Sequence, residues 1–392
     1  MKILIIGYNT RPVAAAVKLL GHETYVIDYW GDLDIKPYAD KLLVMKNKQE
    51  EKETNLYDKG LELFNKLVRE KPDIDYTIIC SGYDDEPEMW KLINERTPVL
   101  NVPVSELEKI RDRLKLTNKL EEKKIPHIKV EKATTLSEAL KKAGKIGYPV
   151  LIRPLKSSGA YKLKTASTPC ELEKLIEETP VYIEKYYSNV KVNLSQIVNT
   201  YESECTIIST NLQLLKEYSL GHQALLSYAG NITPYINQQI TSRLTETTRK
   251  IIKNYRLKGI IGIDYIVTLN NQIYPTEINP RIPGSIDPAQ ITSSTNLLEH
   301  HFQVFLKDEL PPPPKHKGYS TKIILKAKTR YEIPPLPENL PVSDITPPHR
   351  ILEPGTPLCT VCTYDPYNPY NSYLDAKKIA KLIYLLNLRN RN

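Results

Sequence analysis

The stretch Gly259–Asp287, GIIGIDYIVTLNNQIYPTEINPRIPGSID, constrains this chain most, because two strand-forming runs either side of a turn pair close most simply as a hairpin. Ile260–Leu269 and Gln272–Ile278 are the predicted strands, joined at Asn270-Asn271. That pairing puts Asp264 on the first strand and Glu277 on the second. The two-residue period of a strand places Glu277 and Asn279 on one side and Ile278 on the other. Two carboxylates and an amide oxygen held close together are hard oxygen ligands of the kind Mg²⁺ accepts. Arg281 follows, with a planar fork suited to phosphate or acyl-phosphate oxygens. The competing reading is a surface hairpin whose acids pair with nearby Lys or Arg.

At 392 residues the chain is long enough for on the order of two to four subdomains. An excess of 54 Lys+Arg over 46 Asp+Glu gives a net charge of +8. No basic run with interleaved aromatics accompanies it, which argues against a nucleic-acid surface but suits anionic substrates. The apolar run Ile3–Ile6 is too short for a signal peptide or a membrane span, so a cytoplasmic protein is expected. Cys359 and Cys362 form an isolated CxxC with no second pair or His partner, and packed thiols are the expectation.

Read in order, Ile3–Ile6, Thr24–Asp28, Leu42–Met45 and Tyr76–Cys80 are predicted strands. Pro12–Leu20, Tyr57–Lys71 and Glu86–Asn94 are predicted helices between and after them. The alternation predicts an N-terminal doubly wound (Rossmann-like) α/β domain over 1–100. Gly7-Tyr8-Asn9-Thr10-Arg11-Pro12 lacks the second and third glycines of G-x-G-x-x-G, which discounts a nicotinamide cofactor despite Asp28. Tyr8–Arg11 and Ser81–Glu86 follow strands and are candidate substrate loops. Ser105–Lys123 reads as one helix, and Leu136–Ala143 and Leu244–Tyr255 as two more. Nearly half of the 30 prolines lie between Pro311 and Pro369, so helix is not expected there until about Asp375, with strands at Tyr319–Lys326 and Leu358–Thr363.

Glu277-Ile278-Asn279-Pro280-Arg281, preceded by Gly262-Ile263-Asp264-Tyr265, resembles the metal and phosphate signature of the ATP-grasp ligase superfamily. Ile146–Pro154 resembles the family's phosphate strand, with Arg153 where Lys is usual. Arg113, upstream of Ile125-Pro126, matches the family's Asp-basic step. Ile183-Glu184-Lys185-Tyr186-Tyr187 resembles the family hinge, notably that of biotin carboxylase.

The resemblance implies that Asp264, Glu277 and Asn279 hold two Mg²⁺ ions (or Mn²⁺), and that Arg281 and Arg153 act on the transferred phosphoryl group. It also implies that ATP meets Arg113 and Arg153, a lid containing Ser157, Ser158, Gly159 and Lys162, and an adenine clamp. In that clamp Glu184 accepts from the exocyclic amine, while Lys185 and Tyr187 use their backbones. Lys216–Gln223 looks like the family strand that runs past the phosphates, which adds His222. The implied architecture is α/β and α+β: the 1–100 domain, two α+β subdomains sandwiching the nucleotide over 101–180 and 181–308, and a small Pro-rich β appendix with a final helix over 309–392.

Family members activate a carboxylate as an acyl phosphate, which an amine then attacks. In biotin carboxylase a catalytic Glu follows the N-P-R segment, and Ser285 stands there in this chain. The resemblance therefore implies a carboxylate–amine ligase with small-molecule substrates and no nucleic-acid or membrane partner. A homodimer is compatible with it. The alternatives are a bicarbonate-using carboxylase and an ATP-binding protein without ligase activity.

Overall fold

The computed structural model describes residues 1–46, 55–71, 73–155, 162–337 and 339–389. The chain starts with β1 (Lys2–Gly7), α1 (Arg11–Leu19), β2 (Glu23–Asp28), β3 (Lys41–Val44), α2 (Leu56–Glu70), β4 (Tyr76–Ile79) and α3 (Pro87–Asn94). The strands form a parallel sheet in the order β3-β2-β1-β4. Alternate residues of β1 face opposite ways. Ile3 and Ile5 pack with Val13 and Val17 of α1, while Leu4 and Ile6 pack with Leu63 and Phe64 of α2 and Trp90 of α3. Helices cover both faces, which is why β1 is an unbroken apolar run. Asp28 is 1% exposed, and its carboxylate accepts from Thr10, Trp30 and Gly31. It braces the loops at the strand ends.

The predicted helix Ser105–Lys123 is in fact two, α4 (Val104–Arg111) and α5 (Arg113–Glu122). Asp112 is extended, and its side chain accepts from the Leu114 and Lys115 N–H groups, so it caps a new helix instead of continuing the old one. Then come β5 (Val130–Ala133), α6 (Leu136–Ile146), β6 (Val150–Pro154), β7 (Lys164–Ala166), α7 (Pro169–Leu175) and β8 (Val181–Lys185). These strands form a second sheet, ordered β5-β8-β6-β7.

The third unit contains β9 (Val190–Tyr201), β10 (Glu204–Leu215), β11 (Tyr228–Thr233), α8 (Gln238–Ile252), β12 (Gly259–Thr268), β13 (Ile273–Asn279), α9 (Ile286–Thr292) and α10 (Leu297–Lys307). It continues through β14 (Tyr319–Lys326), β15 (Tyr331–Glu332), β16 (Val342–Ser343), β17 (Ile351–Leu352), β18 (Pro357–Asp365) and α11 (Pro369–Arg389). Its eight-stranded sheet runs β13-β12-β9-β10-β11-β14-β18-β16. The segment expected as an appendix thus extends the same sheet, through pairing of β14 with β11. α11 begins at Pro369, ahead of the expected start near Asp375. Proline suits a first turn, and Asp365 and Asn368 accept the N–H groups leading into it.

At the head of the hairpin Gly259 has φ +86°, and a Cβ there would lie 2.5 Å from Phe305 and 2.7 Å from His301. Glycine lets α10 sit directly on β12. His301 completes that junction: its Nδ1 accepts from Ile260 N–H at 2.9 Å and its Nε2 faces the Leu100 carbonyl at 2.9 Å.

Candidate active site

The predicted hairpin forms. Asp264 lies opposite Glu277 and Gly262 opposite Asn279, with a bulge after Asp264. Ile263, Tyr265 and Ile278 turn into the core, which leaves Asp264, Glu277 and Asn279 on the other face. There they border a cleft of about 390 Å³, walled on the opposite side by Leu151, Arg153 and Glu184 of the β5-β8-β6-β7 sheet. That volume suits a small-molecule ligand.

Asp264 accepts from Gln213 Nε2 at 2.9 Å and from Asn279 Nδ2 at 3.2 Å. Burial, together with the nearby Glu277 charge, pushes its carboxyl up to about 7. Burial pushes Glu277 up as well, but Arg111 and Arg153 outweigh it and hold that carboxyl below its ordinary value. The donor set fits a divalent cation. Two opposed carboxylates leave Asp264 short of countercharge, and Asn279 turns its nitrogen to Asp264, which frees its oxygen.

Arginines supply the opposite sign. Arg113 grips Glu184 with Nε at 2.9 Å and Nη2 at 2.8 Å, and Arg153 Nε adds a third bond at 2.8 Å. Glu184 is 1% exposed. The carboxylate predicted as the clamp acceptor here serves as counter-ion to two guanidiniums that would otherwise be buried unpaired. The Lys185 backbone N–H donates to the Lys129 carbonyl at 2.9 Å and its Nζ reaches the Gly147 carbonyl at 2.8 Å. The Tyr187 ring stacks on Tyr274 at 4.7 Å and lines the cleft.

His222 lies outside the cleft lining. The expected strand around it holds a 3₁₀ turn at Tyr218–Leu220, and the imidazole is fully buried between Ser227 Oγ and the Ile324 carbonyl, each at 2.8 Å. Burial pushes it down to about 4, so it packs as a neutral ring away from the cleft. Arg281 borders the cleft, paired with Asp84 at 2.9 Å. Ser157, Ser158 and Gly159 lie outside the described residues. Lys162 is the first described residue after them, with φ 55°. Cys359 and Cys362 are free thiols on β18, and burial pushes Cys362 up to about 12.

The predicted set omits Arg111, while Asp84 and Asp85 lie in Ser81–Glu86, marked only as a candidate substrate loop. Arg111 donates through Nε to Asp85 at 2.7 Å and through Nη1 to Glu277 at 2.6 Å. On an unbroken helix, positions 111 and 113 would point about 200° apart. The break at Asp112 lets Arg111, Arg113 and Arg153 line one small crevice with Glu277. An Asp between two arginines was the available sequence signal, as an N-cap.

Residues 110–285 match the ATP-grasp domain family. The chain is 27% identical over 373 residues to an uncharacterized protein of Methanocaldococcus jannaschii, covering 92% of this chain and 88% of that one. It is 25% identical over 268 residues to the arginine-specific carbamoyl phosphate synthase large chain of Bacillus subtilis, covering 65% of this chain. There it spans about a quarter of the relative's length (25%). The fold is similar to that of a Campylobacter jejuni biotin carboxylase solved with a β,γ-ATP ligand (TM-score 0.75, 17% identity, 95% of this chain and 89% of that one). It is also similar to Staphylococcus aureus N5-carboxyaminoimidazole synthetase with ADP (TM-score 0.74, 16% identity, 97% and 96%). The family match thus covers residues 110–285, and the chain as a whole shares the fold of these ATP- and ADP-bound structures.

Proposed function

We propose that this protein is an ATP- and Mg²⁺-dependent ligase that activates a carboxylate as an acyl phosphate for attack by an amine. One observation carries the reading: opposed Asp264 and Glu277 carboxylates share with Arg113 and Arg153 one cleft between two sheets of the region that matches the ATP-grasp domain. Asp264, Glu277 and Asn279 would hold the cations, whose contribution is to neutralise the phosphate oxygens. Arg113, Arg153 and Arg281 add fixed positive charge, so an anionic carboxylate can approach the γ-phosphorus without full repulsion. Transfer forms a bond from a carboxylate oxygen to phosphorus and breaks the one to ADP. The amine then attacks the acyl carbon, phosphate leaves, and the amine loses a proton. Because acyl phosphate is already a good electrophile, the cleft's task at that step is mainly positioning.

A second reading, a bicarbonate-using carboxylase, is favoured by the carboxylase names among the fold neighbours. Against it, the place where biotin carboxylase keeps its catalytic Glu holds Ser285, which lines this cleft. Pairs of carboxylic acids and amines, drawn from amino acids and cofactor precursors, should be screened for ADP release, with the product weighed by mass spectrometry. Release that needs Mg²⁺ and one acid–amine pair, and that is lost in Glu277→Gln, supports the ligase. Strict dependence on bicarbonate supports the second reading. Nucleotide binding with no release for any pair, bicarbonate included, overturns both. A homodimer belongs to the proposal and is checked by light scattering. Among the described residues no helix is long and apolar enough to cross a membrane.

A further inference from the structure

We infer that Arg111 is a triphosphate-binding residue that, in the nucleotide-free protein, holds the place of the divalent cation at Glu277. This rests on the ATP-dependent reading above. The observation is a closed set of partners. Arg113 and Arg153 share Glu184, Arg281 has Asp84, and Arg111 bridges Asp85 and Glu277. Glu277 is the one carboxylate of the proposed cation site that an arginine occupies. Among the described residues, its neighbour Asp264 hydrogen-bonds only to the neutral amides of Gln213 and Asn279. A cation drawn to Asp264 and Glu277 must therefore compete with Arg111 for a Glu277 oxygen that is 2.6 Å from its Nη1.

The two bonds of Arg111 use different edges of the guanidinium. Nε holds Asp85, in the loop after β4, while Nη1 holds Glu277. When the Nη1 bond gives way, the Nε bond keeps the side chain at the site. Arg113 and Arg153 share its crevice, which Leu155 also lines. The anion available to the released edge is the triphosphate. Cation entry at Glu277 and phosphate capture by Arg111 are thus two halves of one exchange, and Asp85 ties that exchange to the N-terminal domain.

The test uses the full chain and Arg111→Gln. Mn²⁺ binding to the nucleotide-free protein is read by electron paramagnetic resonance. Binding of a non-hydrolysable ATP analogue in excess Mg²⁺ is read by calorimetry. The expected shifts are opposite: Mn²⁺ binds about tenfold tighter because its competitor is gone, and the analogue about tenfold weaker because a charge-assisted bond is gone. A purely structural Arg111 would weaken both, and that result, or no change in either, overturns the inference. Should Arg111→Gln not fold, Arg111→Lys keeps the charge but not the fork. It should give tighter Mn²⁺ binding with analogue affinity kept within about threefold, and weakening of both overturns the inference. If the unsubstituted protein binds the analogue but the shifts are absent, only the role of Arg111 falls. If it binds no analogue, the ATP-dependent reading falls with it.

Discussion

Glu184 shows how one buried charge organises this site. Three N–H donors from two arginines converge on its carboxylate, and despite full burial that carboxyl is held below its ordinary value. Glu184→Gln keeps the shape but leaves two guanidiniums without a counter-ion. The expected loss is about 3–5 kcal/mol of stability in urea denaturation, with weakened nucleotide binding. Because the folded value is lowered, the Glu184 contribution is present above the ordinary carboxylate range and is lost as pH falls through the folded value. Glu184 itself stood out in the sequence, but its partners did not. They lie 71 and 31 residues upstream, and no local pattern announces such a meeting.

At the level of elements, the hairpin was the most legible part of the chain. Strand period and a turn pair act locally, so Asp264 and Glu277 could be placed on paired strands, while the bulge that sets them opposite one another shows only in the structure. The α4–α5 break was not legible, because charged residues at helical spacing fit one long helix as well as two short ones. His301, on α10, joins β12 to the segment after α3 as a neutral ring. Ile260 N–H donates to Nδ1, so the proton sits on Nε2, facing the Leu100 carbonyl. Burial pushes this histidine down to about 4. The unfolded chain takes up the proton near pH 6.5 and the folded one does not, so the stability is complete above that pH and is lost as pH falls toward 4. The expected loss from this one group is about 3 kcal/mol across the window. His301→Gln should flatten the pH dependence of the denaturation midpoint between pH 7 and 4.

In the whole molecule, Arg11 ties the ends of the chain together. From the start of α1 it reaches Asp287 at 2.8 Å, Asp344 at 2.9 Å and Asp34 at 3.5 Å, while Lys322 Nζ meets the same Asp287 at 2.6 Å. The N-terminal sheet is also packed through Ile3 and Ile5 into a cluster that includes Ile197, Ile260 and Phe302 of the large unit. Arg11→Ala removes one partner from a buried network and should cost about 3–5 kcal/mol, read as a lowered thermal midpoint. The sequence marked Tyr8–Arg11 as a substrate loop, but its arginine is committed to this joint. For the Pro-rich segment the resemblance implied a small β appendix. Yet β14 and β18 extend the central sheet by long-range backbone pairing that leaves no signature in composition.

The sequence alone determined the parallel N-terminal sheet, the hairpin and which oxygen-bearing side chains share a face, because strand periodicity and turn chemistry act over a few residues. Tertiary structure decided which charges meet. The pairing of Arg111 with Glu277, the closing of Glu184 by Arg113 and Arg153, and the burial of His222 between Ser227 and Ile324 depend on where packed sheets bring distant segments. In a low-dielectric interior each buried charge must find a partner, and only the assembled fold determines which partners are within reach.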